Sequence, residues 1–462
     1  MHIERFFVPG LAQASYVVSA GVDAVIIDPE RCVDGYLNYC EKNGLTLRAI
    51  LLTHPHADFV AGHAELASRS GAPILISAKA PAESDHRDIQ EGDRIVIGDS
   101  YLEVIETPGH SPDSVCFCLY EGNHVVALFS GDTLFAGDVG RPDLRDGEMT
   151  ADQLAGMLHD SLFQKLLKLP SVVKVYPAHG AGSLCGRQIS SAPFTTIGQE
   201  AATNWALQFT DRTTFVSAMV TNLPERPSYF ARSVTINLQG APPFTGPVTH
   251  LNLERFRSLR EEGASILDVR PAALFGEGHA AGSVNIGVAS PSFAVWCGFF
   301  INGDLPILLV VDHDAEAQRA KLELARIGFD QVAGFLLADD LEETLQITQL
   351  GAQDFVAAGD NRLRSVVLDV RSAQEWKADP LEGAIHTALP QILRQIGKLS
   401  RQSSIAVVCG SGYRSSIATS LLEGEGFPHV SNVMGGMHAI RHAKRPHVSV
   451  MEVAESALDW QI

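Results

Sequence analysis

The chain has 462 residues, 45% of them hydrophobic, which provides for about three domains with cores of their own. A formal charge of −19 excludes a general nucleic-acid binder, since holding phosphate takes basic patches, and it requires any anionic substrate to be caught by a locally positive site. No stretch reaches the ~20 apolar residues of a membrane span, and the start of the chain has neither the basic segment nor the apolar run of a signal peptide, so a cytoplasmic enzyme without membrane or nucleic-acid partners is expected.

The first informative element is a short apolar strand over 49–52, which runs out into Thr53-His54-Pro55-His56-Ala57-Asp58-Phe59. A coordinating imidazole must be neutral and aimed by rigid backbone, and a His-x-His pair at a strand end places two of them on one side of a cleft. The pattern then repeats. A strand over 102–105 leads to His110 in Thr107-Pro108-Gly109-His110-Ser111, and the run 125–129 leads to Asp132 in Ser130-Gly131-Asp132-Thr133. A last strand, over 173–176, leads through Pro177-Ala178 to His179. Each β-rich run stops at a Gly or Pro turn with a ligand-type residue at the break, which is how side chains from several strands converge at one sheet edge.

These residues resemble the metallo-β-lactamase superfamily, whose T-H-x-H-x-D-H, G-H, G-D and final H are matched over about the first half of the chain with one departure: the histidine of the D-H pair is Phe59. In dinuclear members such as glyoxalase II that histidine helps to hold a second metal, and phenylalanine has no lone pair to give. One metal per chain is therefore expected. Two histidines and a carboxylate with open positions form the facial triad of non-haem Fe(II) oxygenases, whereas hydrolytic zinc prefers a fuller nitrogen set. The sequence is most similar to the persulfide dioxygenase branch. That resemblance implies iron ligands His54, His110 and Asp132, with His56, Asp58 and His179 beside the metal and zinc as a possible substitute. The segment Gly137-Asp138-Val139-Gly140-Arg141-Pro142-Asp143 resembles the branch's G-R-x-D, in which the arginine holds the glutathione part of the substrate. Arg141, a planar fork of donors, is suited to a carboxylate, and a salt bridge is its other reading.

Seven cysteines without CxxC spacing read as reduced thiols. Cys32, Cys40, Cys116, Cys118 and Cys297 sit among apolar or aromatic neighbours as small hydrophobes. Cys185, six positions after His179 on a glycine-rich loop, is either a packed residue or a relay that accepts persulfide sulfur.

After the Pro/Gly-rich linker 240–247 an internal repeat appears at a spacing of about a hundred residues. Ile266-Leu267-Asp268-Val269-Arg270 recurs as Val367-Leu368-Asp369-Val370-Arg371, and the strands 307–312 and 405–409 correspond. Each copy alternates β-branched runs with helical stretches, giving two small α/β domains with a mainly parallel sheet. The pattern resembles rhodanese domains, and the Asp-Arg pairs read as structural. In the second copy the loop Cys409-Gly410-Ser411-Gly412-Tyr413-Arg414 opens a helix, so backbone N–H groups and the helix N-terminus favour a thiolate able to carry sulfane sulfur. Arg414 closes the loop as an anchor. In the first copy the loop reads Asp312-His313-Asp314-Ala315-Glu316, and aspartate cannot form a persulfide, so this copy is expected to be silent.

The expected architecture is a metallo-β-lactamase αββα sandwich over 1–246, a silent rhodanese-like domain over 247–350 and an active one over 351–462. The chain as a whole resembles bacterial fusions of a persulfide dioxygenase with such domains. This implies an enzyme that uses O2 to oxidise a low-molecular-weight thiol persulfide, glutathione persulfide or similar, to sulfite. Cys409 then makes or uses thiosulfate, and a homo-oligomer is expected. Two alternatives stand beside this reading: a zinc thioester hydrolase of glyoxalase II type with an accessory sulfurtransferase, and a sulfur-carrier scaffold.

Overall fold

The computed structural model describes residues 1–145, 149–223, 225–358 and 365–444. Two six-stranded sheets form the first half. One runs in the order His2–Val8, Gln13–Ala20, Asp23–Ile27, Thr46–Leu51, Ile74–Ser77, Arg87–Ile89, antiparallel across its first three strands and parallel thereafter. The other runs Thr195–Thr196, Lys174–Pro177, His124–Gly131, Val115–Glu121, Ser100–Glu106, Arg94–Ile97, with a single parallel pair between His124–Gly131 and Lys174–Pro177.

The inner faces of the two sheets share one core. Tyr16, Val18, Ile27 and Leu51 meet Leu102, Phe117 and Phe129, each fully buried side chain stabilising by roughly 1.5–3 kcal/mol relative to exposure. The Tyr16 ring packs 5.2 Å from Phe129, and its hydroxyl donates to the Pro177 carbonyl at 2.6 Å, so even the polar tip ties one sheet to the other. On the outer face of the second sheet, Cys116, Cys118 and Leu128 are covered by Ala155 and Leu158 of helix Ala151–Asp160 and by Phe215 and Met219 of helix Arg212–Val220. The first of these helices begins at a capping box, Thr150 with Gln153. These layers make the α/β sandwich expected of the first half, and the strand ends at Leu51, Glu106, Gly131 and Pro177 are where the ligand-type residues leave it.

The second half holds two smaller sheets. The four-stranded one has the order Val284–Asn285, Ser265–Asp268, Ile307–Val311, Val332–Leu337. The five-stranded one, Thr348–Leu350, Val430–Val433, Ser404–Val408, Ser365–Asp369, Ile385–His386, is parallel throughout. The repeated Asp-Arg pairs are built alike: Arg270 forks onto Asp268 and donates on to the Gly278 carbonyl, and Arg371 forks onto Asp369 and donates on to that of Asp379. Each buried carboxylate is neutralised two residues along its own chain, which is a structural role.

The chain groups into two compact units: Met1–His250 with Val288–Ile307 and Asp314–Gly334, and Leu251–Gly287 with Leu308–His313 and the described residues from Phe335 on. Among the described residues no helix is long and apolar enough to cross a membrane.

Candidate functional site

His54, His110 and Asp132 come together at one point from three strand ends, each offering one buried ligand atom within 4.8 Å of the others. Nε2 of His110 and of His54 lie 3.5 and 3.9 Å from Asp132 Oδ2. His54 Nε2 and Asp132 Oδ2 have no hydrogen-bond partner, and buried polar atoms in that state are costly unless something binds them. The far side of each ligand is engaged. His54 Nδ1 lies 3.0 Å from Thr53 Oγ1, which itself donates to Asp28, and His110 Nδ1 lies 3.0 Å from the Arg141 carbonyl. These partners place the N–H on Nδ1 and leave the Nε2 lone pairs aimed inward, the arrangement a metal-binding histidine requires.

Electrostatics agree with a cation here. Burial pushes both His54 and His110 below the ordinary imidazole range, keeping them neutral. Burial opposes charge on Asp132, but His179, through its charge and its hydrogen bond, together with His110 and His54, outweighs it and holds the carboxyl well below its usual value. Two neutral imidazoles and a carboxylate fit a divalent metal. Gly140 passes so close that a Cβ there would stand 1.9 Å from the Asp132 carbonyl oxygen and 3.0 Å from His110 Nδ1. The ligand set therefore tolerates no side chain at that position.

His56, placed beside the metal by resemblance, stands next to the triad without joining its group of converging ligand atoms. Its ring lies 4.1 Å from that of His54 and 4.3 Å from that of Phe59, its Nε2 is 3.2 Å from Asp28 Oδ1, and neither ring nitrogen has a hydrogen-bond partner. Helix Tyr229–Gln239 holds the loop: Asn237 donates to the carbonyls of His56 and Phe59 and accepts from the Ala61 N–H, and Tyr229 donates to the Asp58 carbonyl.

Beside the triad, Asp58, His179 and Cys185 form a second buried group whose ligand atoms also lie within 4.8 Å of one another. His179 Nδ1 donates to Asp132 Oδ1 at 2.8 Å. Burial pulls the His179 ring down, and the Asp132 and Asp58 carboxylates outweigh it and hold it well above the usual imidazole range. Burial, reinforced by the same two carboxylates, pushes the Cys185 thiol up, so on its own it is a protonated thiol. The Cys185 loop is pinned by the Arg141 N–H on the Cys185 carbonyl and by Asp138, whose carboxylate accepts from the N–H groups of Arg187 and Gln188. The Arg141 guanidinium forks onto Asp143 at 2.7 Å twice and donates to the Leu184 carbonyl. The salt bridge is thus one of the contacts its side chain makes.

In the second unit the Cys409 sulfur is buried at the end of strand Ser404–Val408 and accepts from the Gly412 N–H at 3.1 Å and the Ser415 hydroxyl at 3.3 Å. Gly410 and Ser411 span the loop, Ser411 exposed, and Gly412, in the left-handed region, starts helix Tyr413–Gly424. Arg414 forks onto Glu375 at 2.6 Å twice. Tyr413 donates to the Gly287 carbonyl, and Ser416 and Ser420 of the same helix hydrogen-bond to Asn285.

Asp28, Asn237, Glu375 and Asn285 escape a reading of the sequence because their roles depend on partners 25 to 181 positions away. Asp28 alone carries a local signal, an acidic residue just after a buried strand.

Comparisons with known proteins agree with this geometry. Residues 8–179 match the metallo-beta-lactamase superfamily and residues 352–443 the rhodanese-like domain. A hydroxyacylglutathione hydrolase of Hahella chejuensis is 38% identical over 159 residues, 34% of this chain and 57% of the relative, so the match spans little more than half of that protein. One from Francisella tularensis subsp. novicida is 35% identical over 186 residues, 39% of this chain and 68% of that one. Among solved structures, a metallo-beta-lactamase from Staphylococcus aureus superposes with a TM-score of 0.66 at 29% identity, covering 73% of this chain and 99% of that one. These matches together mean that the chain belongs to the metallo-β-lactamase superfamily and carries a rhodanese-like domain behind that fold.

Proposed function

We propose that the chain is a non-haem Fe(II) persulfide dioxygenase, with one iron at His54, His110 and Asp132, followed by a silent and an active rhodanese-like domain. The observation that carries this reading is the make-up of the converging donor set. The ligand atoms that lie within 4.8 Å of one another there come from two imidazoles and one carboxylate, the set that suits Fe(II) and O2 chemistry, rather than the fuller nitrogen set of hydrolytic zinc. Iron bound there supplies O2 activation. The residues around it keep the two imidazoles neutral, fix their tautomers through Thr53 and Arg141, and hold Asp132 as a carboxylate. The overall balance is one persulfide, one O2 and one water giving sulfite and the free thiol.

A second thiol persulfide passes its outer sulfur to the Cys409 thiolate and leaves as the free thiol; transfer of that sulfur to sulfite breaks the cysteine persulfide bond, forms the S–S bond of thiosulfate and returns the thiolate to the Gly412 N–H. The reverse flow uses the same groups. O2 uptake by iron-loaded protein with glutathione persulfide tests the proposal: uptake with sulfite as product, lost in His110→Ala, is expected. Its absence in iron-replete wild type overturns the reading.

The hydroxyacylglutathione hydrolase relatives favour a second reading, a zinc thioester hydrolase. Native protein holding zinc at the triad and hydrolysing an acyl-glutathione thioester without consuming O2 would establish it instead.

A further inference from the structure

We propose that Ser415 is an adjustable hydrogen-bond donor that follows the charge on the Cys409 sulfur, and that Asn432, oriented by Gln349, is the acceptor it turns to when that charge is gone. The inference rests on the reading of Cys409 as a sulfur carrier and adds positioning residues to it. Ser415 has one hydroxyl proton and two acceptors in reach, Asn432 Oδ1 at 2.6 Å and Cys409 Sγ at 3.3 Å. A single proton serves one of them at a time.

The Asn432 side is fixed from behind. The Ile347 carbonyl can only accept, so the Gln349 amide turns its Nε2 to that oxygen at 3.3 Å and its Oε1 to Asn432 Nδ2 at 2.9 Å. Asn432 therefore faces Ser415 with Oδ1, an acceptor whatever the state of the sulfur. Strand Thr348–Leu350 thus reaches the Cys409 loop through two side chains, from more than sixty positions away along the chain. Cys409, Ser415 and Asn432 are all buried, where a hydrogen bond to a charged atom is stronger than in water. The Gly412 N–H, 3.1 Å from the sulfur, is a fixed donor, and Ser415 is the one that can turn.

The sulfur alternates between two states with different needs. As a thiolate, Sγ carries the charge and outranks a neutral amide oxygen as an acceptor. When it attacks the outer sulfur of a thiol persulfide, a new S–S bond forms and the donor's S–S bond breaks. The donor leaves as its thiol, taking the persulfide proton, and the negative charge passes to the outer sulfur. Sγ is then a neutral bridging atom, and Asn432 is the better acceptor for the Ser415 proton. Transfer of the outer sulfur to sulfite returns the charge to Sγ, and the proton turns back. The hydroxyl stabilises the nucleophile and is never left unpaired beside the persulfide.

Alkylation of full-length protein by iodoacetamide across a pH series, read by mass spectrometry on the peptide that holds Cys409, gives the test. It needs no sulfur transfer, so it decides the proposal even in a protein whose thiosulfate assay is negative, and that assay alone decides the sulfur-carrier reading. Ser415→Ala loses the adjustable donor and is expected to raise the midpoint of the profile by about one pH unit. Ser415→Thr keeps the hydroxyl and should restore the wild-type midpoint. Asn432→Ala removes the competing acceptor and should lower it. Gln349→Met, at a half-buried position, frees the Asn432 amide to turn and should lower it too, which keeps the test open if Asn432→Ala does not fold. Shifts of opposite sign are what a shared proton requires, and a packing defect does not produce them. An unchanged midpoint in Ser415→Ala, a shift that persists in Ser415→Thr, or a shift of the same sign on the serine and amide sides overturns the proposal.

Discussion

At the scale of single residues, the metal ligands are only as good as the atoms behind them. Thr53 accepts from His54 Nδ1 while donating to Asp28, so one hydroxyl sets the tautomer and the ring orientation of a ligand that it never shares with the metal. Thr53→Val keeps the shape and removes the acceptor. Because partners of this kind tune ligand basicity, the variant is expected to bind metal about 10–100-fold more weakly. Competition against a chelator measures this, and unchanged affinity would mean that strand geometry alone orients His54. The same logic makes the Arg141 backbone more telling than its side chain, since its carbonyl accepts from His110 and its N–H holds the Cys185 loop.

At the scale of elements, one helix and one loop decide whether the sites persist. Helix Tyr229–Gln239 reaches the His54–Phe59 loop through Asn237, which satisfies two carbonyls and an N–H at 2.8 Å each. Asn237→Ala strands these buried groups, each at a cost of roughly 1–3 kcal/mol. A lower Tm together with partial loss of metal is expected, and an unshifted Tm with full metal occupancy would assign the rigidity to the strand ends instead.

In the Cys409 loop the comparable device is Glu375. Arg414 beside it, helped by the Ser372 N–H and outweighing partial burial, lowers its carboxyl from the usual 4.5 to about 2. A depressed carboxylate stabilises the fold above its unfolded value and loses that contribution as the pH falls from 4.5 toward 2. Acid-unfolding curves of wild type and Glu375→Gln should therefore differ near neutrality and converge across that window. Curves that stay parallel through it would remove Glu375 as the titrating group.

At the scale of the whole molecule, the metal cluster and Cys409 lie in different compact units, so the two chemistries are expected to separate. Cys409→Ser should abolish thiosulfate formation and leave O2 uptake within about twofold, as is usual for independent sites with no shared partners. Loss of both activities would mean a coupled machine. Nor should the first copy be repairable by one substitution. The Cys409 sulfur accepts from Gly412 and Ser415, while Asp312 stands before a helix whose first turn carries Asp314 and Glu316. Asp312→Cys in a Cys409→Ser background is expected to transfer no sulfur, and measurable turnover in a thiosulfate-to-cyanide assay would refute that.

The sequence by itself determined the sandwich, the rhodanese-like pattern and the ligand-type residues at four strand ends, because apolar periodicity and turn residues are local signals that fix where a strand stops. It also distinguished Cys409 from Asp312, a matter of side-chain chemistry alone. Only the tertiary structure decided that His56 stands against Asp28 and Phe59, that Arg141 is engaged by Asp143, that Glu375 holds Arg414, and that Cys185 joins Asp58 and His179. Each of these depends on two segments meeting, or on which of several nearby partners captures a side chain. Such competition is settled by distances of a few ångströms, and spacing along the chain does not encode them.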